Sequence, residues 1–319
     1  MAKPIFIFSL PRSGSTLLQR LLMSSGECAS LGEPTLLLRF LGDGSRVARY
    51  TSYRETNLEA SLCDIRKKWD GFDQVYNRRV NDLMSEVYDN LAEGKRYFLD
   101  KTPRYTLIAE EIKECFPDAK FIVLWRHPLA IAASITSTFF KNKWRFEDFE
   151  IDLTIGLDRL NDFERNHADE ICSIRYEDLA QSPAKVLGKI GHYLGIDQLA
   201  LRAAEKLPES TGGTLGDPTG TKKYTTISSN SRDQWIHEYN NWYRRKWARD
   251  YFKHSRSKWL ADKGYTLPEI ITSDNGGAYL TGLKEKIYVK TKRRSRERRM
   301  IRAMHKDFLT PQKHNAPKN

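Results

Sequence analysis

Pro11-Arg12-Ser13-Gly14-Ser15-Thr16 sets hydroxyls, a guanidinium and a glycine between the apolar run PIFIFS, residues 4–9, and a leucine-rich segment. A strand that ends in a short glycine-containing turn and feeds a helix aims several backbone N–H groups at one point. That point lies at the positive end of the helix dipole and binds anions. Gly14 lets the backbone come close, Ser13, Ser15 and Thr16 add hydroxyl donors, and Arg12 adds a delocalised charge suited to phosphate or sulfate oxygens. The G-x-x-x-x-G-K-[ST] pattern is missing, and with it the lysine that reaches the β and γ phosphates of ATP. A triphosphate with magnesium is therefore disfavoured. A purely structural turn is the plain alternative.

A second constellation is WRHPLAIAAS, residues 125–134. Arg126 stands at the carboxyl end of the clearest strand, KFIVLW at 120–125, and Ser134 falls on the second turn of the following helix. Arginine beside serine suits a phosphate monoester. Alone, the motif could equally be an arginine paired with a carboxylate and a serine facing solvent; two anion motifs at the ends of two strands favour the first reading.

The elements that must position these groups alternate. A helix starts at about Ser15, with Leu17, Leu18, Leu21 and Leu22 on one face and Gly26 to end it. YFLD at 97–100 reads as strand and TLIAEEIKECF as helix, and a further helix begins near Pro128, where proline's missing N–H costs nothing. EICSIRY gives another strand, and Ser182-Pro183 opens a helix with Val186, Leu187, Ile190 and Leu194 on one face. This order predicts an α/β fold, a mostly parallel central sheet flanked by helices, with ligands at the carboxyl ends of its strands. Residues 34–95 carry charged helical patterns such as NDLMSEVYDNLAEG, and residues 209–231, crowded with Gly, Thr and Ser, read as a mobile loop. The aromatic series Trp235, Trp242, Tyr243, Trp247, Tyr251 and Trp259 reads as core packing.

Composition narrows the class. Hydrophobic residues at 39% and charged residues at 29% fit a soluble globular protein, and no apolar run approaches the roughly 18 residues needed to span a bilayer. The four cysteines, Cys28, Cys63, Cys115 and Cys172, form no C-x-x-C pair, and the histidines show no metal-ligand spacing, so neither a disulfide framework nor a metal site is expected. No secretion signal is visible in MAKPIFIFSLPRSGST, and a cytoplasmic setting is expected. The net charge of +12 is concentrated: from Lys284 onward there are 13 Lys and Arg against 3 Asp and Glu, a surplus of 10. Such a tail suits peripheral contact with an anionic membrane or an acidic acceptor, or is simply solvated. No nucleic-acid partner is expected.

PRSGSTLLQRLL followed by WRHPLAIAAS resembles the paired 5'-phosphosulfate and 3'-phosphate loops of the sulfotransferases that use PAPS, 3'-phosphoadenosine 5'-phosphosulfate. The similarity covers roughly residues 4–250 and is closest to the branch of the tyrosylprotein sulfotransferases and bacterial sulfotransferase-family proteins; DKTPRY at 100–105 and IRYEDLAQSP at 174–183 also resemble that branch. The resemblance implies the P-loop-like nucleotide-binding sulfotransferase fold, in a domain over residues 1–265 with residues 34–95 as an acceptor-side insertion and 266–319 as a basic tail. It further implies that Arg12, Ser13, Gly14, Ser15 and Thr16 surround the 5' phosphate while Arg126 and Ser134 hold the 3' phosphate. Tyr176 falls where related proteins place a nucleotide contact, and Ser228 and Ser231 fall near a serine that touches the cofactor.

Sulfuryl transfer to an alcohol needs a base for the hydroxyl proton and a cation for the leaving phosphate oxygen. Glu33, in SLGEPTLLLRF, resembles the catalytic glutamate of that branch in its placement, and Lys101, in DKTPRY, matches a family lysine and follows a strand toward the same sheet edge. The expected activity is transfer of the sulfuryl group of PAPS to a hydroxyl of a carbohydrate, a lipid-linked glycan or another small acceptor. A kinase with a degenerate phosphate loop and a non-catalytic anion-binding protein remain open beside it.

Overall fold

The computed structural model describes residues 1–42, 55–146, 149–197, 199, 234–253, 256–272 and 279–292. Five strands, β1 (Lys3–Ser9), β2 (Cys28–Ser30), β3 (Tyr97–Asp100), β4 (Lys120–Trp125) and β5 (Cys172–Arg175), form one sheet in the order β2-β3-β1-β4-β5. Every pairing is parallel. The expected α/β architecture is therefore present, and both faces of its sheet are covered, as a parallel sheet requires.

Strand alternation divides the core. Phe6 and Phe8 of β1, Phe98 of β3, and Phe121, Val123 and Trp125 of β4 face one side. Ile5, Ile7, Tyr97, Leu99, Ile122 and Leu124 face the other. On that second side lie α1 (Ser15–Met23), through Leu17, Leu18, Leu21 and Leu22, and α9 (Pro183–Leu194), through Val186, Leu187, Ile190 and Leu194. Between β2 and β3 run α2 (Leu36–Phe40), α3 (Glu55–Lys68) and α4 (Phe72–Ala92). Thus 34–95 is helical where it is described, but α4 does more than border the site: Val80, Met84, Tyr88 and Ala92 are buried in the aromatic core over the sheet.

After β3, a 3-10 turn (Pro103–Ile108) precedes α5 (Ala109–Cys115), so the helix expected over 106–116 is shorter than its pattern. Next come α6 (Pro128–Phe139), a π turn (Asp152–Gly156) running into α7 (Leu157–Asn166), and α8 (Tyr176–Gln181) ahead of α9. Downstream lie α10 (Trp242–Tyr251), α11 (Arg256–Asp262), α12 (Glu269–Thr272) and α13 (Tyr279–Lys292). Trp235, Trp247, Tyr251 and Trp259 pack on the core as the aromatic series predicts. Beyond residue 265 the chain still packs on the same body, since Ile271 is fully buried. The remainder of the tail, and the loop at 209–231, lie outside the described residues. Among the described residues no helix is long and apolar enough to cross a membrane.

The chain runs from β1 to the edge strand β2, comes back to β3 between them, then crosses to the other side of β1 for β4 and β5. α1, which follows β1, goes to one face, and α6, which follows β4, goes to the other. A crevice therefore opens between the carboxyl ends of β1 and β4, the switch point where such sheets bind ligands.

Asp100, the last residue of β3, is fully buried, and its Oδ2 accepts from the hydroxyls of Tyr88 at 2.7 Å and Tyr105 at 3.2 Å. Burial pushes its carboxyl up from 3.8 to about 7, against the opposing pull of both tyrosine hydroxyls and of Lys101. The folded state thus binds this proton more tightly than the unfolded chain does. Stability from this group is complete below about pH 4 and falls as pH rises to 7, by on the order of 4 kcal/mol in all. Asp100→Asn, whose amide oxygen can accept both tyrosine hydroxyls, should flatten that part of the pH dependence of urea unfolding; an unchanged slope would rule Asp100 out as its source.

Candidate active site

The crevice between β1 and β4 widens into a cleft of about 430 Å³, lined by Arg12, Gly14, Ser15, Thr16, Arg20, Glu33, Arg104, Arg126, Ser134 and Tyr176 among others. Four of these side chains are arginines and one is a carboxylate, so the cleft favours anions.

Arg12 and Gly14 both have left-handed backbones, φ 66° and 91°, separated by Ser13. Ser13 N–H closes the turn onto the Leu10 carbonyl at 3.2 Å, and the N–H groups that follow it stand at the start of α1, where an anion is favoured. For Arg12, which carries a Cβ, the conformation is strained, and it is held by a long-range bond: Arg126 Nη1 donates to the Arg12 carbonyl at 2.7 Å. Arg12 Nε donates in turn to Ser134 Oγ at 3.2 Å, and its guanidinium lies 5.7 Å from the Phe139 ring centre. Ser9↔Leu124 pairing brings the two loops out side by side. The turn and the strand-end motif therefore form a single cluster. Tyr176, the first residue of α8, supports it from below, its ring centre 4.4 Å from the Arg126 guanidinium. Ser13 itself is buried, and its Oγ has no hydrogen-bond partner.

Glu33 and Lys101 meet on the other side of the cleft. β2 and β3 pair as Ser30↔Leu99, so Glu33, three residues past Ser30, and Lys101, two past Leu99, emerge from adjacent strand ends. Lys101 Nζ donates to Glu33 Oε1 at 2.7 Å; the lysine side chain is 1% exposed and the glutamate 24%. Among the described residues Glu33 is the one acceptor of this buried ammonium.

The loop that carries Glu33 is pinned at both ends. Gln19, buried on α1, donates through Nε2 to Ser30 Oγ at 2.5 Å and to the Gly32 carbonyl at 3.2 Å. Thr35 N–H donates to Thr102 Oγ1 at 3.2 Å, and Leu37 N–H to the Tyr105 hydroxyl at 3.4 Å. Tyr105 also holds Asp100, so both faces of the β3 end brace the loop.

His127, inside the second motif, is structural. Its Nδ1 accepts from Leu129 N–H at 3.2 Å, so the proton sits on Nε2 and is donated to the Thr266 carbonyl at 3.0 Å. Trp235 and Phe252 pack against its ring. Ser228 and Ser231 lie outside the described residues. Sequence reasoning missed Arg20 and Arg104. Arg20 has a legible signal, a charge inside a run of leucines on α1. Arg104 sits within DKTPRY, where only the lysine drew notice, and its Nε lies 3.7 Å from the buried carboxylate of Asp152.

Residues 4–199 match the model of a family described as the sulfotransferase family. Nodulation protein NoeE of Sinorhizobium fredii is 34% identical over 134 residues, which are 42% of this chain and 31% of that protein, so the match spans about a third of the relative's length. Among solved structures, the sulfotransferase domain from the curacin biosynthetic pathway shares 22% identity, covers 84% of this chain and 99% of its own, and superposes with a TM-score of 0.57. The sulfotransferase domain from the olefin synthase of Synechococcus PCC 7002 shares 25% identity over 84% of this chain and 96% of its own, with a TM-score of 0.53. The chain belongs to the sulfotransferase family.

Proposed function

We propose that the cleft binds PAPS across the two linked anion loops and transfers its sulfuryl group to a hydroxyl of a carbohydrate, a lipid-linked glycan or another small acceptor. The observation that carries this reading is the contact of Arg126 with Arg12, and of Arg12 with Ser134, which joins the two anion motifs in one cleft. The residues fit such a dianion-bearing nucleotide. Ser13 Oγ is a buried donor without a partner, and the cluster offers guanidinium, hydroxyl and backbone N–H groups, all of which suit phosphate oxygens. A Cβ on Gly14 would lie 2.4 Å from Tyr176 Cδ2, so the loop closes over that ring only because residue 14 has no side chain.

Arg12, Ser13, Gly14, Ser15 and Thr16 hold the 5' end, Arg126 and Ser134 the 3' phosphate, and Tyr176 lies against the nucleotide; Ser228 and Ser231 complete the proposed contacts. Bound PAPS supplies a sulfuryl group already joined to a phosphate leaving group. Glu33 takes the acceptor's hydroxyl proton on its carboxylate. Its pairing with Lys101 keeps it oriented until then. As the carboxylate gains the proton, its hold on the Lys101 ammonium weakens, and the freed N–H groups turn to the oxygen that departs with the nucleotide. One proton movement thus serves attack and departure together. The basic tail gives the enzyme peripheral contact with an anionic membrane in a cytoplasmic setting.

Two outcomes test this reading. Glu33→Gln should keep binding of the desulfated nucleotide while transfer from radiolabelled PAPS to glycan and lipid extracts falls by roughly 10²- to 10⁴-fold; retained turnover would remove Glu33 from the mechanism. Gly14→Ala, strained at φ 91° and colliding with Tyr176, should lower stability by roughly 1–2 kcal/mol or more in thermal melts and abolish nucleotide binding. Adding Tyr176→Ala should relieve the collision but not the backbone strain. Wild-type melting and binding in Gly14→Ala would contradict the proposed cradle.

A further inference from the structure

α13 begins the basic region of the chain, and its two sides differ in kind. Gly282 packs directly on the indole of Trp242, where a Cβ would lie 2.4 Å from Nε1, and Trp242 Nε1 donates to the Tyr279 carbonyl at 3.3 Å. Three residues on, Glu285 accepts from Arg244 Nη2 at 2.6 Å and from Asn241 Nδ2 at 3.1 Å. Arg244 is 5% exposed, and its guanidinium lies 4.8 Å from the Trp144 ring centre. Gly282 and Glu285 therefore fix which side of the helix faces the protein.

The opposite side carries Leu280, Lys284 and Ile287, which recur at helical spacing. Leu280 is 71% exposed and Ile287 54%, and Lys284 is exposed between them, while Lys286, one turn after Gly282, lies over the Trp242 ring at 5.6 Å. Glu285 is the single acid in YLTGLKEKIYVKTK, and it is the residue turned inward and neutralised. What remains outside is apolar and cationic.

We propose that α13 is an interfacial helix that lays Leu280 and Ile287 into the surface of an anionic lipid bilayer, with Lys284 at its headgroups. This deepens the peripheral-membrane reading above by assigning the contact to one helix face, and it is independent of the catalytic reading. Helices of this kind bind by burying apolar side chains at the acyl boundary while cations meet anionic lipid. A soluble polyanion would satisfy the lysines but leave Leu280 and Ile287 in water. A second copy of the chain packed on this face about a twofold axis would set the lysines against lysines. The surplus of 10 positive charges from Lys284 onward adds to the attraction for an anionic surface.

α13 is also tied to the cleft. Arg244 Nη2, which holds Glu285, donates to the carbonyl of Asn142 at 2.8 Å, three residues past the cleft-lining Phe139.

The test is co-sedimentation of the full chain with vesicles of phosphatidylcholine alone or mixed with phosphatidylglycerol, at low and high salt. The wild type should pellet with the anionic vesicles only, and less at high salt. Leu280→Ser with Ile287→Ser, which changes no charge, should weaken partitioning roughly tenfold or more, with an unchanged melting midpoint and unchanged transfer to a water-soluble acceptor. The proposal is overturned if the wild type stays in the supernatant or if the double variant pellets as well as the wild type. It is also overturned if the double variant loses a dimer instead of vesicle binding. A chain that binds vesicles yet transfers no sulfuryl group would leave α13's role intact and refute the catalytic reading.

Discussion

One hydrogen bond, from the Arg126 guanidinium to the carbonyl of Arg12, joins the loop after β1 to the loop after β4. Ser9↔Leu124 pairing sets the loops side by side, but their helices leave toward opposite faces of the sheet, so contacts between the loops must hold them to each other. The same bond stabilises a left-handed arginine, a conformation that costs on the order of 1–2 kcal/mol for a residue with a Cβ. The strain accompanies a use: in this conformation the Arg12 side chain reaches Ser134. With Tyr176 stacked beneath Arg126, three chain segments far apart in sequence, at residues 12, 126–134 and 176, meet in one cationic cluster.

The Glu33–Lys101 pair depends on a second layer. Asp100 and Lys101 are consecutive yet belong to opposite faces of the sheet, because side chains alternate along a strand. On one face Lys101 meets Glu33, whose loop Gln19 fastens to α1, the helix that also begins at the anion turn. On the other, Asp100 gathers Tyr88 from α4 and Tyr105, whose hydroxyl reaches back to Leu37 beyond the same loop. A charge on Asp100 near neutral pH is thus accommodated at some cost to stability beside the groups that position Glu33.

How much of this the sequence reveals follows from where each signal resides. KFIVLW and PIFIFS are legible because a strand covered on both faces needs an unbroken apolar run, and the helices at Ser15 and Pro128 announce themselves by their turn residues. β2, with only Cys28, Ala29 and Ser30 at the sheet edge, leaves no such pattern. Arg12 and Ser134 are recognisable by type, but their contact spans 122 residues and the left-handed backbone of Arg12 leaves no trace in composition. Glu33 looks like a surface glutamate until the Ser30↔Leu99 register sets it beside Lys101. The inward turn of Glu285 is similarly invisible, since it depends on Arg244, 41 residues away.

The most direct test of the joined loops is a double-mutant cycle read by calorimetry. 3',5'-diphosphoadenosine is titrated in the presence of EDTA into the wild type, Arg12→Ala, Arg126→Ala and the double variant. Metal-independent binding is expected, with each single substitution weakening it strongly and the two losses coupled by roughly 0.5–3 kcal/mol, as for residues in contact. Strictly additive losses, or an affinity indifferent to Arg126, would mean that the two loops do not grip one nucleotide.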